Sequence, residues 1–202
     1  MEFAIDSLSS QRVASIVSCE DWTESCPVNL DRLVSVHISH FDFQSEERVG
    51  ELIVHEGISK NVLAIFQELF KMRFPIHSVI PSDEFGGDDV FCMNANNSSA
   101  FNCRRVMNTD RWSSHAYGMA IDINPVQNPY VLLNDEENLA KIYPVGGSRH
   151  LNRHIQEPGM VESIVPIFKK HGFDDWGGAW RSPLDYHHFQ VSWENINSKI
   201  KI

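Results

Sequence analysis

Two residues of types that bind metal ions, His115 and Asp122, stand seven positions apart in the middle of the chain. An α-helix would separate them by about 10 Å along its axis, and a strand would separate them by roughly 23 Å on opposite faces. The chain must therefore fold back between them if both are to reach one ion. Gly118 is the residue in this interval that adopts a left-handed conformation without steric cost. Residues 120–123 then read as a short buried strand that presents Asp122.

A second group of such residues stands near the C-terminal end, in the run Asp185-Tyr-His-His-Phe-Gln190. Taken alone, His115 and Asp122 are equally well explained by a structural hydrogen bond, but this run adds another histidine and another carboxylate. Three nitrogen and oxygen ligands that leave a fourth position for water are typical of catalytic zinc sites, whereas structural zinc sites close all four positions. The combination indicates an open metal site.

Four short motifs follow one another along the chain: Phe101-Asn-Cys-Arg104, Ser114-His-Ala-Tyr-Gly-Met-Ala-Ile-Asp-Ile-Asn-Pro125, Trp176-Gly-Gly-Ala-Trp180 and Asp185-Tyr-His-His-Phe189. In this order they resemble the D-alanyl-D-alanine carboxypeptidase family of zinc peptidases. The nearest branch includes vancomycin-resistance-type carboxypeptidases and L-alanyl-D-glutamate endopeptidases, which cut peptidoglycan stem peptides. Each motif is weak alone, but the ordered set is specific.

The resemblance implies that His115, Asp122 and His188 bind one zinc ion per chain. It makes Asp185, where many relatives carry Glu, the general base. It gives Arg104 the task of stabilising the oxyanion that forms when water attacks an amide carbonyl. The implied activity is hydrolysis of an amide bond in peptidoglycan, either as a carboxypeptidase or as an endopeptidase.

Further residues are candidates for substrate contacts. If residues 185–188 form one helical or 3₁₀ turn, Asp185 and His188 project from one face, and His187 points elsewhere, as a substrate contact. Ser114 and Tyr117 are expected to line the groove, and Trp180 is expected to form either a wall of it or part of the core.

Composition fits a globular protein, with 202 residues, 42% hydrophobic residues and 22% charged residues. The net charge of -10 argues against nucleic acid or an anionic membrane as partner, and no apolar run reaches the ~20 residues of a membrane span. The first residues lack the features of a signal peptide. A periplasmic or secreted location therefore requires prior removal of a signal, and a cytoplasmic location is the alternative. The oligomeric state is left open.

Four cysteines, at positions 19, 26, 92 and 103, form no CxxC motif. Their even number permits two disulfides in an oxidising compartment, and a bond between Cys19 and Cys26 is one option. Free buried thiols are an equally good interpretation.

The pattern of apolar residues predicts an α+β fold with a mainly antiparallel sheet and helices packed on one side. The resemblance implies that the zinc cleft lies over the other side, in a fold similar to that of hedgehog and D-Ala-D-Ala peptidases. Residues 1–30 are expected to form an N-terminal extension or helix, and residues 31–202 a single peptidase domain. His37 and His40 are interpreted as solvent-facing strand residues. The predicted elements are a helix at 6–17, strands at 33–43, 50–55 and 76–81, helices at 59–72 and 163–171, a functional loop at 84–99 and an irregular stretch at 130–152.

Two other functions compete with the peptidase. The first is a binding module for peptidoglycan that kept the fold and lost catalysis, which the intact Asp185 argues against. The second is a non-haem iron enzyme, since two histidines and a carboxylate also form its facial triad, but such triads commonly have a closer His-x-Asp spacing. Separately, calcium binding is an alternative role for Asp83, Asp88 and Asp89, but the ordered ligand spacing of a calcium loop is missing.

Overall fold

The computed structural model describes residues 1–107, 109–134 and 139–199. Strand β1 (Phe3–Ser7) and helix α1 (Ser10–Ser18) open the chain. Strands β2 (Leu33–Phe41) and β3 (Glu47–His55) form the predicted hairpin, and β1 joins it to give an antiparallel sheet in the order β1-β2-β3. The helix predicted at residues 6–17 is wrong at its start, because residues 6 and 7 belong to β1 and pair with β2. The helix begins only at Ser10, where the Ser9 hydroxyl caps it. The division of the chain at residue 30 stays a prediction.

Helix α2 (Ser59–Lys71) packs on this sheet through the apolar stripe that the sequence shows. Ser59 is its first residue and not its N-cap, because a 3₁₀ turn at Glu56–Ile58 leads directly into the helix. The Ser59 hydroxyl donates instead to the carbonyl of Glu56. His40 in β2 is buried, so the prediction that it faces solvent is wrong.

The polar stretch after α2 contains more regular structure than predicted. Strand β4 (Ser78–Val79) is shorter than the expected strand and pairs in parallel with β5 (Asn97–Ser98). Helix α3 (Asp89–Asn94) lies between them, capped by the side chain of Asp88. The prediction of one continuous loop at 84–99 is wrong, because this cap lets the segment close its own hydrogen bonds.

Two small antiparallel sheets carry the C-terminal half. Strand β6 (Ala120–Asp122) belongs to one, and strands β7 (Tyr130–Asn134) and β8 (Leu139–Tyr143) belong to the other. The prediction of an irregular stretch at 130–152 is therefore wrong for its described residues, since β7 and β8 pair along their length. Residues 135–138 of that stretch lie outside the described residues.

The remaining elements complete these sheets. Helix α4 (Val165–Lys170) begins later than predicted and is not capped by Ser163, although Pro166 does lie in its first turn. Strands β9 (Asp175–Trp176), β10 (Leu184–Asp185) and β11 (His188–Gln190) give the sheet orders β6-β11-β9 and β10-β7-β8, and helix α5 (Trp193–Lys199) follows. Among the described residues, no helix is long and apolar enough to cross a membrane.

One hydrophobic core joins the main sheet, α2 and the strands of the C-terminal half. Leu52 of the main sheet, Phe66 of α2, Ile121 of β6 and Phe189 of β11 are all fully or almost fully buried in it. The stacked rings of Phe168 and Phe189, with centroids 3.9 Å apart, fix β11 against α4. The strands next to the metal-binding candidates are therefore anchored in rigid packing.

A disulfide joins Cys26 to Cys103, with Cα atoms 6.0 Å apart. The option of a bond between Cys19 and Cys26 is therefore wrong, and Cys19 and Cys92 are free. Cys26 and Cys103 are 77 positions apart in the sequence, so only the folded structure brings them close enough to bond.

Asp21 is a buried carboxyl group close to this disulfide, 3% exposed. The Ser82 Oγ atom lies 2.5 Å both from Asp21 Oδ2 and from the Phe101 carbonyl oxygen. A hydroxyl has one proton to donate, so both contacts are satisfied when the Asp21 carboxyl is protonated and donates to Ser82. Burial, the largest cause, accordingly raises the pKa of Asp21 to about 7.

Candidate metal centre

The turn between His115 and Asp122 depends on Gly118. His115 lies in a 3₁₀ turn at Ser114–Tyr117, which Gly118 ends with φ of +65°. A Cβ atom at Gly118 would lie 2.7 Å from the backbone nitrogen of His55, so the close approach to β3 also requires glycine. The predicted reversal of the chain at this residue is confirmed.

Asp122 and His188 face each other across two paired strands. The register of β6 and β11 sets His188 opposite Asp122 and Phe189 opposite Ile121. Because side chains alternate along a strand, the two apolar residues enter the core and the two polar residues share the other face. The polar pair is therefore held by the packing of its apolar neighbours.

His115, Asp122 and His188 form a compact and buried group. His188 Nδ1 lies 3.0 Å from Asp122 Oδ1 and 3.0 Å from His115 Nε2. His115 Nε2 lies 3.2 Å from Asp122 Oδ2. One potential ligand atom from each residue falls within 4.8 Å of the others, which makes this a group able to hold a metal ion.

In His115 and His188, the ring nitrogen that points away from Asp122 already has a hydrogen-bond partner. His115 Nδ1 donates to the carbonyl oxygen of Ala100, and His188 Nε2 lies 3.0 Å from Gln190 Oε1. Each ring is thus left with one nitrogen, and both of these nitrogens face Asp122. Outer partners that fix the orientation and tautomer of the ring are a regular feature of metal-binding histidines. Two imidazole nitrogens and a carboxylate oxygen fit the donor set of an open zinc site.

Electrostatics in this group favour a charged Asp122. Burial alone would raise the pKa of Asp122, but the neighbouring His115 and His187, together with the hydrogen bond to His188, outweigh burial and hold that pKa well below its usual range. An ionised carboxylate is the form that binds a metal ion.

Asp185 lies in β10 and His188 in β11, so the helical or 3₁₀ turn expected for residues 185–188 is wrong, and a non-helical turn at 186–187 joins the two strands. Its Oδ1 atom lies 3.0 Å from His187 Nε2, as an ion pair. His187 Nδ1 lies 2.7 Å from the carbonyl oxygen of Asn128, to which it donates. Burial lowers the pKa of His187, but Asp185 and Asp122 outweigh it and raise this pKa to about 10. A protonated His187 therefore stands between the two carboxylates.

A cleft of about 690 Å³ opens over this group. Arg104 lies on its wall with its side chain 33% exposed, and its Nη2 atom is 3.1 Å from Asp89 Oδ2. Tyr117 lies on the cleft as well, with its ring edge against Trp193. The other candidates that line the same cleft are His115, His188, Asp185, His187, Ser114 and Trp180.

Two candidates for substrate contacts are engaged with other side chains. Ser114 is 2% exposed, and its hydroxyl donates to Gln190 Oε1 over 2.7 Å. The Trp180 indole donates to Asp175 Oδ1 over 2.7 Å, and its ring lies beside His188 with centroids 5.4 Å apart. Sequence reasoning missed Asp175 and Gln190. Gln190 could have been found from the sequence, because it stands two residues after His188 and side chains two apart on a strand project from the same face.

Comparison with known proteins agrees with this geometry. Residues 107–191 match the family model described as D-alanyl-D-alanine carboxypeptidase, a segment that includes His115, Asp122, Asp185 and His188 and begins just after Arg104. No curated protein and no solved structure gives a significant match. The match supports a peptidase, and it confirms the resemblance to the D-alanyl-D-alanine carboxypeptidase family of zinc peptidases over the part of the chain that carries the group able to hold a metal ion.

Proposed function

We propose that the protein is a zinc-dependent peptidase that hydrolyses an amide bond in peptidoglycan stem peptides. The observation that carries the proposal is the buried group of His115, Asp122 and His188 beneath a large cleft, within the segment that matches the family. In this proposal the three side chains bind one zinc ion. Bound zinc would polarise the substrate carbonyl and lower the pKa of a bound water to about 7.

In this proposal, different side chains around the cleft transfer the proton and stabilise the developing negative charge. Asp185 accepts the proton that water loses as its oxygen bonds to the carbonyl carbon, and later gives that proton to the amine nitrogen as the C–N bond breaks. The ion pair with His187 orients the Asp185 carboxylate. Arg104 supplies positive charge to the oxyanion of the tetrahedral intermediate. Tyr117 and Trp180, with rings on the cleft, are proposed to contact the substrate.

A substrate in the cell wall places the proposed action outside the cytoplasm, in the periplasm or the extracellular space. The disulfide between Cys26 and Cys103 supports this location, because structural disulfides persist mainly in oxidising compartments.

The test combines zinc content with cleavage of purified muropeptides followed by mass spectrometry. We expect about one zinc per chain in the native protein, loss of zinc in His188→Ala, and retained zinc without cleavage in Asp185→Asn. His154→Ala, which alters an exposed histidine, is the matched control and should behave as the native protein does. The product masses identify the bond and distinguish a carboxypeptidase from an endopeptidase.

Other results would support the competing functions. Iron in place of zinc would favour an oxygenase-type triad. Zinc with tight binding of muropeptides but no cleavage would favour a binding module without catalysis.

A further inference from the structure

A chain of hydrogen bonds runs from the wall of the cleft to His188. The Trp180 indole donates to Asp175 Oδ1 over 2.7 Å, and Gln190 Nε2 donates to Asp175 Oδ2 over 2.7 Å. Gln190 Oε1 in turn lies 3.0 Å from His188 Nε2. Asp175 and Gln190 are direct partners in the pairing of β9 with β11, so the backbone sets this geometry as well.

The chemistry of these groups leaves one arrangement of donors and acceptors. A carboxylate only accepts hydrogen bonds, so Asp175 must face the amide NH₂ of Gln190. The amide oxygen then points to the opposite side, where it accepts from the Ser114 hydroxyl over 2.7 Å. His188 Nε2, which faces the same oxygen, must therefore carry a proton. The nitrogen of His188 that remains, Nδ1, is the one that lies 3.0 Å from Asp122 and from His115.

We propose that Asp175 and Gln190 are positioning residues that fix the tautomer and orientation of His188, so that its Nδ1 atom is directed at the metal ion. The inference rests on the proposed function for the presence of the ion, but the hydrogen bonds belong to the protein itself. Gln190 is 4% exposed, so water has little access to replace a lost partner. Trp180 links the same chain to the cleft, where the substrate is proposed to bind.

The sharpest test exchanges the acid and the amide between positions 175 and 190. In Asp175→Asn the new amide allows Gln190 to turn over, and in Gln190→Glu two carboxylates face each other. In the double variant, the amide introduced at position 175 donates to the carboxylate introduced at position 190. That carboxylate also accepts from His188, and the charge of the native pair is restored. Asp174→Asn is the matched control, because the neighbouring Asp174 is exposed and accepts only from the backbone nitrogen of Ser192 among the described contacts.

Zinc affinity, measured by competition with a chromophoric chelator, is the first readout. We expect each single variant to bind zinc about 10- to 100-fold more weakly than the native protein. In Asp175→Asn the turned amide, and in Gln190→Glu the repulsion between the two carboxylates, takes the acceptor away from His188, and loss of an outer partner of a ligand usually has an effect of this size. The double variant should recover most of this loss, and the control should stay within about twofold. Thermal unfolding of every variant checks that the fold is intact. Native affinity in both single variants, or a double variant no better than the weaker single variant, would overturn the proposal.

The second readout, the imidazole ¹H–¹⁵N spectrum, does not depend on peptidase activity. In zinc-loaded protein, and in metal-free protein at alkaline pH, we expect a slowly exchanging Nε2 proton on His188 that Asp175→Asn abolishes and the double variant restores. A native protein that shows this proton but binds no zinc would refute the proposed function and leave the positioning role standing. A proton on Nδ1 in the metal-free native protein at that pH would refute the positioning role.

Discussion

The requirement for glycine at position 118 gives the most exacting test of how the fold forms the candidate metal centre. Gly118 and Gly86 have nearly the same left-handed conformation, with φ of +65° and +67°. An added Cβ at Gly118 would lie 2.7 Å from the backbone nitrogen of His55 and 2.9 Å from Leu33 Cδ2, whereas one at Gly86 would meet no atom within 4 Å. The two alanine variants therefore share the cost of the backbone conformation and differ in the clash.

The expected magnitudes follow from this difference. Alanine in a left-handed conformation costs roughly 1–2 kcal/mol, and this should be the whole effect of Gly86→Ala. The clash in Gly118→Ala adds about 1–3 kcal/mol of overpacking against backbone atoms that cannot turn away. The carbonyl of Gly118 accepts from the His55 nitrogen over 2.9 Å, so relief of the clash must also shift the turn that carries His115. We therefore expect weaker zinc binding in Gly118→Ala but not in Gly86→Ala.

The assay is urea unfolding of both variants without metal, followed by zinc competition. Equal free energies of unfolding for the two variants would show that the clash is relieved at no cost. Unchanged zinc affinity in Gly118→Ala would show that the turn does not position His115. Either result would refute the reasoning from which Gly118 was identified.

Two further predictions concern stability away from the candidate metal centre. Loss of the disulfide in a variant that carries both Cys26→Ser and Cys103→Ser should lower the free energy of unfolding by about 4–5 kcal/mol, because the bond closes a long loop in the unfolded chain. The control Cys19→Ser should change the free energy of unfolding little. Equal unfolding of the native protein with and without reductant would contradict this prediction. The raised pKa of Asp21, about 7 against 3.8 for the free group, means that between these pH values the folded protein keeps a proton that the unfolded chain releases. The contribution of Asp21 to stability is therefore present in full below about pH 4 and is lost as pH rises to about 7. Asp21→Asn should remove this loss, about 4 kcal/mol for a shift of this size at roughly 1.36 kcal/mol per pKa unit. If urea unfolding of that variant kept the pH dependence of the native protein, the assignment would be contradicted.

Part of the candidate metal centre could be predicted from local patterns. The seven-residue spacing of His115 and Asp122 required a reversal between regular elements, and glycine at 118 was the residue able to form it. The grouping with His188 came from the order of motifs and agrees with the buried group that the structure contains. The roles of the individual side chains in metal binding and catalysis stay predictions.

The fold was predictable where periodicity was strong. The hairpin of β2 and β3 and the helix α2 carry clear periods of two and of 3.6 residues, and they lie close to the expected bounds. The β7–β8 hairpin was missed and Asp185 was assigned to a helical turn, because strands this short have no period to detect and form only when a partner strand is present.

The sequence by itself determined which residue types are available for chemistry and where the chain must turn, since these depend on side-chain identity and local backbone freedom. The tertiary structure alone decided which residues meet. The opposition of Asp122 and His188, the link from Asp175 through Gln190, and the disulfide from Cys26 to Cys103 all join segments far apart in the chain. Strand register and core packing fix such contacts, and neither leaves a local mark in the order of the amino acids.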